Sequence, residues 1–214
     1  MRSRGIAGGW WALVAVMVVL GETASLAAHG AKDQLVYFTH QSNIYLGIVA
    51  AITARGLWSG RRTPGPPVLT SAILFITITG LIYNVVLAST AAPVHGLAAF
   101  STFTLHKATP VLGVAGWLVF APHGGLRWIH ALWWLAYPLA YFAFALIRGL
   151  FVTSGGLRYP YAFLDVVKHG YAGGLTNAAV YATVFLVLGL LLVAVDTLLA
   201  RGGSKSLAEG TAGQ

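Results

Sequence analysis

Six stretches of apolar residues alternate with short polar connectors along the chain. They lie at 8–28, 35–54, 68–89, 97–120, 127–148 and 175–199. About twenty apolar residues are enough for a helix to cross the hydrocarbon core of a bilayer. The pattern therefore predicts an all-α, polytopic integral membrane protein with six transmembrane helices in one bundle. This domain would occupy residues 1–200, followed by a disordered cytoplasmic tail at 201–214.

The first stretch is open to two interpretations. Arg2 and Arg4 precede the apolar run, and small residues follow at 25–27, as in a cleaved signal peptide. The run is equally long enough to be a retained first span. We expect retention.

Composition supports a membrane protein and narrows its chemistry. Of the 214 residues, 57% are hydrophobic and 8% are charged, with a mean hydropathy of +0.77, whereas a soluble domain is about one quarter charged. There is no cysteine, which excludes disulfides, thiolate metal sites and a cysteine nucleophile. The net charge of +8 comes mostly from connectors and tails, so we predict no nucleic-acid partner. Those basic residues would favour anionic lipid head groups.

The distribution of basic residues predicts the orientation. With the amino terminus inside, the inner segments contain eight of them: Arg2, Arg4, Arg55, Arg61, Arg62, Arg127, Arg201 and Lys205. The outer segments contain four: Lys32, Arg148, Arg158 and Lys168. Because cytoplasmic loops carry the excess of Lys and Arg, both termini are predicted to lie in the cytoplasm, with the protein in the inner (cytoplasmic) membrane.

A run of hydrogen-bonding side chains begins the second span. Asp33 is expected to cap this helix. At helical spacing Thr39, Ser42 and Asn43 share one face, and polar groups are costly in hydrocarbon unless they find partners. Such residues often join helices to each other in membranes. The alternative is that they line a functional site.

Other polar residues favour the second interpretation. Asn84 lies near the outer end of the third span. His106 lies in the fourth span before Pro110, which frees the carbonyl of His106 from its usual helical bond. Asp165 and His169 lie in the last outer connector, 149–173, which is expected to fold over the outer mouth of the bundle. The predicted topology gathers these residues in its outer half.

Several chemistries fit this set. A histidine near a threonine suggests nucleophilic catalysis, in which the imidazole takes the hydroxyl proton. Asn84, Gln41 and Asn43 are then candidates to stabilise an oxyanion, with Asp165 as an orienting group. By chemistry alone, a structural or hydrogen-bonding role for His106 is favoured over catalysis. Metal binding by His40, His106 and His169 is another possibility, but these residues show no recognised ligand spacing. A further possibility is haem ligation by His40 and His106. We predict no metal site and no cofactor. Adjacent residues on a helix point about 100° apart, so His40 and Thr39 are not expected to serve one site equally.

Four motifs together resemble the androgen-induced-gene-like family of six-pass membrane proteins, in its bacterial branch. The motifs are Phe38-Thr39-His40-Gln41-Ser42-Asn43, Thr79-Gly80-Leu81-Ile82-Tyr83-Asn84, Leu105-His106-Lys107-Ala108-Thr109-Pro110, and Tyr159-Pro160-Tyr161-Ala162-Phe163-Leu164-Asp165 with His169-Gly170-Tyr171. They occur in order from the second to the sixth span.

The resemblance implies a function. Vertebrate members of the family are membrane threonine hydrolases that cleave fatty acid esters of hydroxy fatty acids, using one Thr and one His within the spans. The family Thr matches Thr39 and the family His matches His106. The expected substrate is thus a membrane lipid or fatty acyl ester, with Asn84, Gln41, Asn43, Asp165 and His169 as supporting residues. The alternative class is a non-enzymatic membrane protein that binds haem or lipid, or a small-solute permease.

Overall fold

The protein consists of helices, several of which are suited to a membrane. The computed structural model describes residues 2–32, 34–89, 91–152 and 158–212, and within these ranges it contains no strand. Four helices in the described part are long and apolar enough to cross a bilayer: Ser3–His29, Pro66–Leu87, Trp128–Phe151 and Val166–Gly202. The all-helical class predicted from the sequence is confirmed, and these four helices support the predicted membrane character. The number six for the spans stays a prediction.

The chain divides into two compact units, Met1–Pro122 and His123–Gln214. The first unit contains five α-helices: α1 (Arg2–His29), α2 (Phe38–Ser59), α3 (Pro66–Ile82), α4 (Gly96–Phe103) and α5 (Thr109–Phe120). One π-helical turn, Tyr83–Leu87, extends α3, and another, Thr104–Ala108, joins α4 to α5. Helix α1 packs on α2, α4 and α5, while α3 packs on α2 and α5. Helix α4, the π-turn and α5 follow one another without a break and form one long helical rod. The first unit is therefore a bundle of four long helical segments: α1, α2, α3 and this α4–α5 rod.

Helix α1 is part of the core of this unit. Trp11 and Val14 on α1 are fully buried, together with Leu46 on α2 and Ile73 on α3. The indole N–H of Trp10 donates to the carbonyl of Leu112 on α5 at 3.0 Å. The first hydrophobic stretch thus contributes directly to the core of this unit.

Two predicted spans correspond to helices that are not among the four found long and apolar enough to cross a bilayer. The predicted span 35–54 corresponds to α2, and the span 97–120 corresponds to α4, the π-turn and α5. Both contain the polar residues of the predicted site, which lower their apolar character. Asp33 lies outside the described residues. The position before α2 is taken by Tyr37, whose side chain makes no capping bond.

The second unit contains α6 (Trp128–Trp134), α7 (Ala136–Phe151) and α8 (Val166–Ala212). Pro138 has no N–H to offer the carbonyl of Trp134, which accounts for the break between α6 and α7. Helix α8 begins earlier than the predicted 175–199 span and includes a kink at Gly170, where φ is 68°. A side chain would be strained at that φ. The α8 backbone is helical to Ala212, residues 213–214 lie outside the described part, and disorder of the 201–214 tail stays a prediction.

Aromatic residues order the described part of the 149–173 connector. The rings of Tyr161 and Phe163 stack with centroids 5.1 Å apart, and Phe163 lies 4.4 Å from the ring of Tyr181 on α8. The guanidinium of Arg158 donates to the carbonyl of Gly149 at 2.7 Å. This segment therefore packs on α7 and α8 of its own unit, and residues 153–157 lie outside the description. Folding over the mouth of a six-helix bundle stays a prediction.

A buried carboxylate fastens α8 to the segment before α6. Asp196 on α8 is 1% exposed. Its Oδ1 is 3.2 Å from Nδ1 of His123, and its Oδ2 accepts the backbone N–H of Leu126 at 3.1 Å. Both carboxylate oxygens are thereby satisfied, as burial of the group requires.

Substitution of Asp196 tests this fastening. We expect Asp196→Ala to lower the free energy of unfolding by about 3 kcal/mol, because it removes the acceptor of the Leu126 N–H and the carboxyl group beside the His123 ring. Unfolding of the detergent-solubilised protein by heat or SDS measures the effect. Thr197→Ala is the matched control, since the Thr197 hydroxyl bonds only to the Val193 carbonyl of its own helix at 2.9 Å among the contacts described, and should change stability by less than about 0.5 kcal/mol. Equal stability of the two variants would contradict this role.

Candidate active site

The side chains of Thr39 and His106 meet in the first unit. Thr39 lies in the first turn of α2, and His106 lies in the π-turn between α4 and α5. The Thr39 Oγ1 is 3.3 Å from Nε2 of His106. Thr39 is buried, and His106 is partly exposed. The two residues singled out by the resemblance, 67 positions apart in the chain, are thus in direct contact.

The second ring nitrogen of His106 fixes the direction of this hydrogen bond. Nδ1 of His106 lies 3.1 Å from the carbonyl oxygen of Thr102, one turn earlier. A carbonyl only accepts, so in the neutral ring the proton sits on Nδ1 and Nε2 carries the lone pair. The Thr39 hydroxyl therefore donates to Nε2 of His106, which is the arrangement that a general base requires.

The backbone around His106 departs from an α-helix, and two asparagines compensate for it. In the π-turn, Thr109 N–H bonds to the carbonyl of Thr104 five residues earlier, and Pro110 has no N–H to offer. The carbonyls of Leu105 and His106 then need other donors. The Asn43 amide donates to Leu105 O at 3.1 Å, and the Asn84 amide donates to His106 O at 3.1 Å. The sequence predicted that Pro110 would free the carbonyl of His106.

The same residues tie α2 and α3 into the arrangement. Asn43 Oδ1 accepts the hydroxyl of Thr109 at 2.6 Å, and its amide also donates to the Thr39 carbonyl at 2.9 Å. The Ser42 hydroxyl bonds to the same Thr39 carbonyl at 3.0 Å and to the hydroxyl of Thr79 at 2.7 Å. Ser42 and Asn43 are fully buried. This network holds the first turn of α2, and with it Thr39, in one place.

The second π-turn also faces His106. It begins at Tyr83, whose ring stacks on the imidazole with centroids 4.0 Å apart. Gly80, one turn earlier, allows the close approach of the two helices, since a Cβ there would lie 3.0 Å from the ring of Pro110. Single π-turns inside helices are frequent at functional sites, and here two of them position one histidine.

The supporting residues predicted from the sequence divide into two groups. Asn43 and Asn84 belong to the site, but both hydrogens of each amide are already used, the Asn84 pair on the carbonyls of His106 and Gly80. The Gln41 amide donates to the carbonyl of Leu35 at 2.7 Å. In this arrangement the contacts favour a structural role for these amides rather than donation to an oxyanion.

Asp165 and His169 belong to the second unit. Asp165 Oδ1 accepts the N–H groups of Val167 and Lys168 at 2.9 and 3.2 Å, which makes Asp165 the cap of α8. His169 is exposed in the first turn of α8. Contact of either residue with the Thr39–His106 pair stays a prediction.

The ring nitrogens do not favour haem or metal ligation by the predicted histidines. Both nitrogens of His106 are engaged, by Thr39 and by Thr102. Nδ1 of His40 is 2.7 Å from Oε2 of Glu22 on α1. Among the described residues no group of three or more His, Asp or Glu side chains is arranged to hold a metal ion.

Sequence reasoning missed the residues that hold the rings of His106 and His40 in position. Tyr83 and Thr102 hold the His106 ring, and Glu22 holds His40. Thr102 and Tyr83 are an ordinary hydroxyl residue and an ordinary aromatic on apolar helices, so only the geometry reveals them. Glu22 carried a signal, because a carboxylate inside an apolar span requires a partner.

No protein-family model, curated protein or solved structure matches the chain. The resemblance to the androgen-induced-gene-like family therefore rests on the four motifs alone, and membership stays an expectation.

The asparagine network makes a stability prediction. We expect Asn43→Leu, which has similar size, to lower the free energy of unfolding by about 2 kcal/mol, because the Leu105 carbonyl and the Thr109 hydroxyl lose a partner while buried. Thermal unfolding in detergent is the measurement. Thr53→Val is the control on the same helix, since its buried hydroxyl bonds to Val49 of α2 itself. A loss no larger than that of the control would show that the network contributes nothing.

Proposed function

We propose that the protein is a membrane hydrolase of fatty acyl esters, with Thr39 as the nucleophile and His106 as the general base. The observation that carries the proposal is the 3.3 Å contact from Thr39 Oγ1 to Nε2 of His106, with Nδ1 turned to the carbonyl of Thr102. A lone pair on Nε2 beside a buried hydroxyl is what activation of a weak nucleophile needs.

The reaction would proceed in two halves. As Thr39 Oγ1 attacks the ester carbonyl carbon, its proton passes to His106 Nε2, and the imidazolium then returns that proton to the leaving alkoxide. Thr39 is left as an acyl ester. Water then attacks the acyl carbon, gives a proton to His106, and the fatty acid leaves as Thr39 recovers its proton. The amino-terminal end of α2 favours the negative charge that develops at Thr39.

Apolar surfaces beside the site suit an acyl substrate. Val85 and Val86 follow Asn84 and are 70% and 41% exposed, and Phe103, three residues before His106, is 55% exposed. In a bilayer such side chains would face lipid, so an acyl chain would approach the partly exposed His106 from the side. This supports a lipid ester rather than a polar ester as the substrate.

The proposal also includes six spans with both termini in the cytoplasm. The four helices that are long and apolar enough to cross a bilayer would be joined by α2 and by the segment of α4 and α5, several of whose polar residues, such as Ser42, Asn43 and Thr109, are buried in their own unit. In that topology Thr39 and His106 lie in the outer half of the membrane.

The catalytic pair is tested by single and double substitution. We expect Thr39→Ala and His106→Ala each to lower kcat/KM by roughly 10³-fold or more. The kcat/KM of the double variant should be no lower than that of the less active single variant, because the two residues act as a unit. Thr39→Ser should retain part of the activity. Hydrolysis of a p-nitrophenyl fatty ester by the purified protein, alongside its thermal stability, is the measurement.

The control for this experiment is Thr77→Ala, which removes a hydroxyl bonded to the Ile73 carbonyl of its own helix α3 and should leave turnover unchanged. A fluorophosphonate should label the wild type at Thr39 and fail to label Thr39→Ala. Wild-type turnover by folded Thr39→Ala would overturn the proposal.

The topology makes a separate prediction. A reporter that is active only in the periplasm should be silent when fused after Gln214, and active when inserted in the 90–95 connector, because the basic residues favour the cytoplasmic side. Activity of the fusion at Gln214 would contradict the proposed orientation without bearing on the chemistry.

A further inference from the structure

The proposed reaction places a positive charge on the ring of His106. When Nε2 takes the Thr39 proton, the neutral imidazole becomes an imidazolium. His106 is partly buried, and a charge in such a position costs free energy unless its surroundings compensate for it. The reaction therefore requires a source of negative potential beside this ring.

The described contacts of His106 include no carboxylate. Its Nδ1 faces the carbonyl of Thr102, which is a dipole without a net charge. The ion pairs in the described part of the chain join other side chains: His40 with Glu22, and His123 with Asp196. The counter-charge that often accompanies a catalytic histidine is thus not among the contacts described, and another group has to contribute to its stabilisation.

The ring of Tyr83 lies face to face with this imidazole. The two ring centroids are 4.0 Å apart, and the ring planes are 30° from parallel. The face of an aromatic ring carries negative potential, and a cation within about 6 Å of the ring centroid is attracted to it. A neutral imidazole gains only the packing of the stack, whereas an imidazolium gains this attraction as well. Tyr83 therefore stabilises the protonated ring of His106 more than the neutral ring.

Backbone contacts on both sides of the stack keep Tyr83 against His106. Asn84, the next residue, donates to the carbonyl of His106 at 3.1 Å. Gly80, one turn before Asn84, lets the two helices approach so closely that a Cβ there would lie 3.0 Å from the ring of Pro110 and 3.3 Å from the carbonyl oxygen of His106. The aromatic face is thus in place before the charge appears, which is the condition for effective electrostatic stabilisation.

We propose that Tyr83 stabilises the imidazolium of His106 that forms when Thr39 attacks an ester. The inference rests on the proposed function. In this step the Thr39 O–H bond breaks and the Nε2–H bond forms, so that the positive ring and the negative oxyanion arise together. The imidazolium then gives the proton to the leaving alkoxide and becomes neutral again. Because Tyr83 acts through His106 and does not touch the substrate in this scheme, it is a positioning residue rather than a catalytic residue.

Graded change of the ring face at position 83 tests the inference. Tyr83→Phe keeps the face and should keep kcat within about 2-fold of the wild type. Phenylalanine analogues with one to five fluorines at position 83 withdraw negative potential from the face while the ring remains nearly the same shape. We expect kcat to fall stepwise along this series, to about 10-fold below the Tyr83→Phe value for pentafluorophenylalanine. KM should change little, since His106 is neutral while the substrate is only bound.

Two rates are measured for each variant, per folded molecule. The first is turnover of a p-nitrophenyl fatty ester, in which both halves of the reaction form the imidazolium of His106. The second is the rate at which a fluorophosphonate labels Thr39, which reports on the first half alone. Tyr83→Leu removes the aromatic face altogether and should lower both rates by about 10-fold.

The matched control is pentafluorophenylalanine in place of Phe120, the last residue of α5. The Phe120 ring lies 5.8 Å from the ring of Trp10, so it packs on another aromatic and not on the base. This variant should match the wild type in both rates. Thermal unfolding of each variant shows that the comparison is made between folded proteins.

The outcomes separate this inference from the proposed function. If the pentafluoro variant at position 83 keeps wild-type rates while Thr39→Ala is inactive, the Tyr83 ring only packs on His106, and the hydrolase stands. If folded Thr39→Ala is active, the hydrolase itself fails. Should the pentafluoro variant not fold, the variants with one and two fluorines decide in the same way, since rates that do not fall along the series overturn the inference. A full loss already in Tyr83→Phe would assign the effect to the phenol hydroxyl and would overturn it too.

Discussion

Two backbone carbonyls without helical partners determine the geometry of the first unit. Pro110 and the π-turn before it leave the carbonyls of Leu105 and His106 in need of donors, in a helix that has little water around it. Asn43 and Asn84 satisfy them from neighbouring helices. Because each asparagine is fixed in turn by its own helix, the depth and rotation of α2, α3 and the α4–α5 rod are set against one another. The contact between Thr39 and His106 is a consequence of that register.

This constraint explains how a threonine can be held for chemistry in an apolar bundle. A hydroxyl on a helix usually bonds back to the carbonyl one turn earlier, as Thr53, Thr77 and Thr79 do here. Thr39 lies in the first turn of α2, and its hydroxyl contacts a residue of another helical segment, His106 in the π-turn. The position of the residue at the helix start matters as much as its identity.

The sequence predicted a large part of this arrangement, and the reasons are physical. Apolar stretches of spanning length reveal membrane helices, and a proline after His106 reveals a free carbonyl. The all-helical class followed from such local signals. The π-turns did not, because a π-turn depends on the extra residue that tertiary packing accommodates and has no composition of its own. The extension of α8 through Gly170, and the capping role of Asp165, were missed because a connector rich in aromatics and glycine resembles a loop.

The two partly buried histidines of the first unit show that residue type alone underdetermines chemistry. Both are bonded at Nδ1, but His40 faces a carboxyl group and His106 faces a backbone carbonyl. Because a carbonyl only accepts, the neutral His106 ring keeps its proton at Nδ1 and a lone pair at Nε2. That lone pair is what the Thr39 hydroxyl meets, so the partner of one ring nitrogen decides what the other nitrogen can do.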